Sequence, residues 1–271
     1  MSEETTQGYA SWREERRYLQ EKWGMSGRQL HITSQYDDIM MKMLKHSCNN
    51  QLTHVPSALS MLTYIDTIFR EKYILPYRDR IVLGKPFGSQ AYYVVWKDLE
   101  YIDDIEKLSM GVKHAEIDFV DYSEETMGNS LGVAAGIAMT TKELVWVNIT
   151  DATMQMGSTL EAIQFIGHNR LKNIIMTVDF NNYQVTGKTS DVLSVSPVID
   201  FIQHNGWDVI EVDGHDKKNI CKSMIESDAR GLPRAFIYHT VKGHGIDFME
   251  QDPITWHYKP IDEKHARQIF K

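Results

Sequence analysis

Asp151 and Asn181 stand thirty positions apart, each just past an apolar run, in Asn148-Ile149-Thr150-Asp151-Ala152 and Thr177-Val178-Asp179-Phe180-Asn181-Asn182-Tyr183. A carboxylate and a carboxamide are hard oxygen donors. Mg²⁺ takes one or two protein carboxylates and completes its shell with phosphate oxygens and water. If the two runs are neighbouring parallel strands, both residues reach the sheet edge where open α/β sheets bind ligands. The pair then describes a metal–diphosphate site. Taken singly, each has a plainer use. Asp151 can cap a helix over 153–166, and Asn181-Asn182 is a turn signal, because asparagine tolerates left-handed backbone.

The elements needed to position that pair can be read from the apolar periods. Residues 144–149, 173–179, 207–212 and 234–240 read as buried strands, and Ile81-Val82-Leu83 as another, ended by Gly84 and Pro86. Helical segments over 158–170, 197–205 and 216–229 fall between them. Further helices are expected at 34–48, where Tyr36, Ile39, Met40, Met43 and Leu44 repeat with a helical period, at 56–69, opened by Pro56, and at 130–141, rich in small residues. Alternation of this kind predicts an α/β fold, a parallel sheet covered by helices on both faces. Residues 1–30 read as a charged helical arm, and residues 31–271 as a single domain.

Composition narrows the classes. A chain of 271 residues with 42% hydrophobic content can fill one large α/β core. Its net charge of -8, with no basic stripe, argues against an electrostatic nucleic-acid binder. Only two cysteines occur, Cys48 and Cys221, far apart and without metal-ligand spacing, so a reduced, cytoplasmic protein is expected. No signal-peptide pattern is present, nor an apolar run near the roughly 20 residues of a membrane helix.

The segment from Asp151 to Asn181 resembles the thiamine-diphosphate signature, which begins Gly-Asp-Gly and closes on Asn some thirty residues later. More narrowly, residues 35–260 resemble the N-terminal half of transketolase, as a stand-alone subunit of a split enzyme. The motifs that carry this, in order, are Thr53 to Leu59, Arg78 to Leu83, Lys113 to Glu116, Glu125 to Gly132, Glu211 to Asp216, Val241 to Gly245 and Trp256-His257. The resemblance implies a thiamine-diphosphate-binding fold with Mg²⁺ (or Ca²⁺) held by Asp151, Asn181 and the Tyr183 carbonyl. It implies that the Ala152 amide and Lys242 meet the diphosphate, and that Asn129, Ser130 and Leu131 lie at the aminopyrimidine side. His54, His114 and His257 match histidines that face the cofactor or the sugar hydroxyls, while His244 shares the glycine-punctuated loop of Lys242.

Departures from the pattern accompany it. Thr150 and Ala152 replace the glycines around the metal aspartate, and Phe87 stands where the family has a histidine. Met156 replaces one of two glutamates that link paired active sites, while Glu161 keeps the other. The implied activity is transfer of a two-carbon ketol unit from a ketose to an aldehyde. The implied partner is a C-terminal-type subunit carrying the pyrimidine domain and its activating glutamate, in an α₂β₂ assembly. Two other readings stand beside it: a thiamine-dependent 2-oxoacid decarboxylase or dehydrogenase subunit, which shares the metal signature, and a non-catalytic regulatory subunit whose degenerate phosphate turn no longer binds cofactor.

Overall fold

A computed structural model describes residues 34–270 apart from 107, 109, 110, 114, 115 and 228–230, with side chains from residue 38 onward. The arm expected at 1–30 and the candidate His114 lie outside the described residues. Residues 38–271 cluster as one compact unit.

Six parallel strands form the sheet: β1 (Arg80–Leu83), β2 (Tyr122–Ser123), β3 (Val145–Thr150), β4 (Ile174–Phe180), β7 (Asp208–Asp213) and β8 (Arg234–His239). Their order across the sheet is β2-β1-β3-β4-β8-β7. Between β4 and β7 a small antiparallel hairpin pairs β5 (Tyr183–Gln184) with β6 (Gly187–Lys188) and leads into the single turn of α6 (Thr189–Val192). The central strands β3 and β4 are buried almost along their whole length because helices cover both faces. Alternate side chains of β4 enter opposite cores: Ile175 packs with Trp146, Phe236 and Tyr238, whereas Ile174, Met176 and Val178 pack with Val145, Val147 and Ile237. The first core is closed by α1 (Ser34–Asn49), α2 (Val55–Arg70), α3 (Gln90–Asp98) and α8 (Lys217–Glu226). The second is closed by α4 (Ser130–Ala138), α5 (Gly157–His168) and α7 (Ser196–His204).

The register decides where the chemistry falls. Thr150 pairs with Asp179 and Phe180 with His239, so the residues just past β3, β4 and β8 meet at one sheet edge. Asp151 does not cap a long helix, as its sequence context allowed. It opens a 3₁₀ turn over Asp151–Gln155, after which Met156 is extended and α5 starts afresh at Gly157. The carboxylate is occupied with the neighbouring strand end, described below, which leaves the chain to restart its helix later. The expected helix over 130–141 stops at Ala138, where Thr140 turns its hydroxyl back to the Ile137 carbonyl. Helix α3 was not expected: Gln90 to Trp96 are all buried, and the run Tyr92-Tyr93-Val94-Val95-Trp96 is aromatic and β-branched, a composition that suits a strand as well.

Candidate active site

At the C-terminal edge of β3, Asp151 is fully buried. Its Oδ1 accepts from the Thr150 hydroxyl at 2.9 Å and the Ala152 amide at 2.8 Å. Its Oδ2 accepts from the Asn182 amide at 2.6 Å and the Thr189 hydroxyl at 3.2 Å. The Asn182 bond joins the two strand ends whose proximity the sequence pattern requires. Asn182 reaches it at φ 64°, a left-handed position that asparagine tolerates. Asn181 turns its Oδ1 to the Tyr183 amide (3.0 Å) and its Nδ2 to Asp179 (2.8 Å). Burial and the nearby Asp179 push the Asp151 carboxyl up to about 6, against the pull of its hydrogen bonds from Thr150, Ala152 and Asn182.

Asp179 is the group that sequence reasoning did not single out. Its Oδ2 accepts from Ser60 (2.7 Å), Asn181 and Lys85, and its Oδ1 from Thr240 (2.6 Å). Lys85 Nζ also donates to the Ser57 carbonyl at 3.1 Å. One carboxylate therefore ties together the ends of β1, β4 and β8 and the first turns of α2. Burial pushes the Asp179 carboxyl up, but Lys85 and the hydrogen bonds from Thr240 and Ser60 together hold the group below the usual range. A signal was available: a charge inside the run Ile174 to Phe180 must be buried, and buried charges need partners.

His54, His257 and Lys242 converge beside this corner. His54 precedes α2 at φ 59°, an uncommon backbone state that clusters at functional sites. Its amide donates to the His257 carbonyl at 3.0 Å, and its ring lies 4.9 Å from that of His257. Lys242 Nζ is 2.8 Å from His257 Nδ1. An ammonium can only donate, so His257 Nδ1 is the acceptor and the ring proton sits on Nε2. Burial first, then Lys242, lowers both rings, His54 to about 4 and His257 to about 3. Both are therefore neutral at pH 7, each able to donate or accept. Burial and Lys85 likewise lower Lys242 to about 8. Phe87 stacks on His54 at 4.9 Å, where an imidazole was expected from the resemblance.

These groups line a cavity of about 330 Å³, with Ala152, Asn181, Tyr183, Lys85 and Glu125 also on its wall. A larger groove of about 440 Å³ runs along β7 and α8 and holds none of the expected residues. Asn129, Ser130 and Leu131 are absent from the cavity wall: Asn129 donates its amide to Glu124, and Leu131 is in the core behind β1. The Ala152 amide, expected on a phosphate, is bonded to Asp151 instead. Met156 is half-buried and Glu161 exposed on α5.

The donor set suits a diphosphate with a divalent cation. The Thr150 hydroxyl also lies 3.3 Å from the Asp179 carbonyl, so it can turn there and open one Asp151 lone pair. Asn181 Oδ1 keeps a second lone pair. Gln184 Oε1, on a residue of the cavity wall, is buried without a hydrogen-bond partner. Among the described residues no three of His, Cys, Asp or Glu gather as a metal cage. A cation here would draw on the Asp151 carboxylate together with amide, carbonyl and phosphate oxygens.

Residues 133–269 match the family model of the transketolase thiamine diphosphate binding domain. The transketolase of Mus musculus is 30% identical over 214 residues, covering 72% of this chain and 33% of its own length. The 6-deoxy-6-sulfo-D-fructose transketolase subunit SqwG of Clostridium sp. (strain MSTE9) is 26% identical, over 88% of this chain and 95% of that one. Among solved structures, a Pichia Stipitis transketolase in complex with fructose 6-phosphate superposes at TM-score 0.72 with 17% identity, over 86% of this chain and 39% of that one. Transketolase from Leishmania mexicana superposes at 0.68 with 18% identity, over 87% and 41%. The chain thus spans about a third of the mouse protein and nearly all of the clostridial subunit, and it shares the fold of both solved enzymes. It belongs to the transketolase family, by way of that family's thiamine-diphosphate-binding domain.

Proposed function

We propose that this chain is the diphosphate-binding subunit of a split transketolase, moving a two-carbon ketol unit from a ketose to an aldehyde with a separate pyrimidine-domain subunit. The observation that supports it is the Asp151–Asn182 bond, which joins the ends of β3 and β4 close to two neutral histidines and a lysine. The match over 95% of a relative that is itself named a subunit supports the split arrangement.

In this reading Asp151, Asn181 and the Tyr183 carbonyl hold Mg²⁺, or Ca²⁺, and Lys242 lowers the cost of a buried diphosphate. Bound thiamine diphosphate would supply the electron sink for carbon–carbon bond cleavage. His54 and His257 bind and orient the sugar hydroxyls. The Nε2 proton of His257 is available for donation because Lys242 occupies its other nitrogen. The partner contributes the activating glutamate, and two copies of each chain form an α₂β₂ assembly.

Calorimetry with thiamine diphosphate and Mg²⁺ tests this on the chain alone and on the mixture. Tight binding and ketol transfer are expected only in the mixture. No binding by the mixture would assign the chain to a regulatory role, and competent binding by the chain alone would remove the split site.

A further inference from the structure

The loop that carries Lys242 has an anchor of its own, outside the cavity. His215, just past β7, stacks on His244 with ring centroids 3.6 Å apart and planes 17° off parallel. Its Nε2 accepts the Val241 amide at 2.8 Å. Gly214 makes this reach possible: a Cβ there would stand 2.5 Å from Thr240 Cγ2. Elsewhere in the loop the Gly243 amide donates to the Pro56 carbonyl at 3.0 Å, and the Gly245 amide to the Glu250 carboxylate at 2.7 Å. Val241 immediately precedes Lys242, so the imidazole acts one residue from the buried ammonium. We propose that His215, backed by the His244 ring, is a positioning residue for Lys242 and, through it, for His257, and that acid releases this clasp. The assignment rests on the reading of Lys242 as a diphosphate contact.

The chemistry of the clasp demands a bare nitrogen. With Nε2 unprotonated, the ring accepts from Val241. A proton there sets one N–H against another, and the same proton places a cation face to face with the His244 ring. The charged groups around the pair pull both ways. Asp213 at the end of β7 and Asp179 of β4 favour a proton on His215, and Glu250 and Asp213 favour one on His244. Burial opposes both, and for His215 the second imidazole adds to it, so that His215 is lowered to about 4. His215 Nδ1 is also buried without a hydrogen-bond partner. A histidine returns toward about 6.5 once its loop opens. The closed state is therefore favoured above that value and is progressively lost as pH falls toward 4.

Amide hydrogen exchange on the full chain reads the clasp directly, without cofactor or partner. Protection of the Val241 amide should fall roughly fivefold to tenfold in His215→Ala, the size of one lost hydrogen bond. It should be retained in His215→Gln, whose carbonyl oxygen accepts but does not titrate. Between about pH 7 and pH 5 the wild-type protection factor should drop while that of His215→Gln holds. In the assembled complex, His215→Ala should raise the dissociation constant for thiamine diphosphate, and His215→Gln should restore it. Equal protection in wild type and His215→Ala, or the same acid response in wild type and His215→Gln, overturns the proposal. If the wild-type complex binds no thiamine diphosphate, the functional reading fails, while the exchange data still judge the clasp on their own.

Discussion

Two buried aspartates, one at the end of β3 and one near the end of β4, behave in opposite ways. Asp179 has a lysine against it and stays ionised; Asp151 meets only neutral donors and is pushed up to about 6. Both are wholly shielded from solvent, so burial alone cannot separate them. What separates them is the cation. Asp179 is supplied with one by the fold and serves as a structural knot. Asp151 accepts four hydrogen bonds, all from neutral donors; on the proposed function its close counter-charge is a cation that arrives with the ligand.

The largest test of that contrast removes the built-in cation. Lys85→Met leaves Asp179 buried and unpaired and should cost about 3–5 kcal/mol in denaturant unfolding. A loss below about 1 kcal/mol would show that the knot is not ionic. Asp151→Asn should behave the other way. It removes an uncompensated charge, so stability should move by less than about 1 kcal/mol. Its Mg²⁺-dependent affinity for thiamine diphosphate should nevertheless fall by about 100-fold or more, in calorimetry on the complex. Equal stability losses in the two variants would erase the distinction.

Acid titration probes the neighbouring histidines. His54 and His257 are depressed to about 4 and about 3 in the folded chain and return toward 6.5 when it unfolds. The unfolded state then binds more protons between those values, so stability is fully present above about pH 6.5 and is lost as pH falls through 4. The wild-type loss should amount to a few kcal/mol, and His257→Gln should flatten part of the slope. An unchanged slope would mean that His257 is not held neutral by its surroundings. The smallest effect is expected from Phe87→Leu, which removes the ring stacked on His54 and should cost about 1 kcal/mol.

Much of this site could be read in one dimension because its parts are local. The Asp151 and Asn181 positions follow from where two apolar runs end, and His54, His257 and Lys242 from motifs of a few residues. Lys85 escaped notice because nothing in Gly84-Lys85-Pro86 says that its ammonium turns inward. Its partners, Asp179 and Ser60, are 94 and 25 positions away. Helix α3 was hidden for a different reason, since its short run of tyrosine, valine and tryptophan fits a buried strand as well as a helix.

The order of apolar runs and breakers determined the layered α/β architecture, because each strand needs helices on both faces to shed water. The hard-oxygen character of the site was equally set by composition at two strand ends. Which carboxylate receives a lysine, which histidine nitrogen keeps its proton, and which amide Asp151 consumes were decided only when the chain closed. Those outcomes depend on ångström-scale distances across the sheet edge, where a shielded charge is governed by its nearest partner.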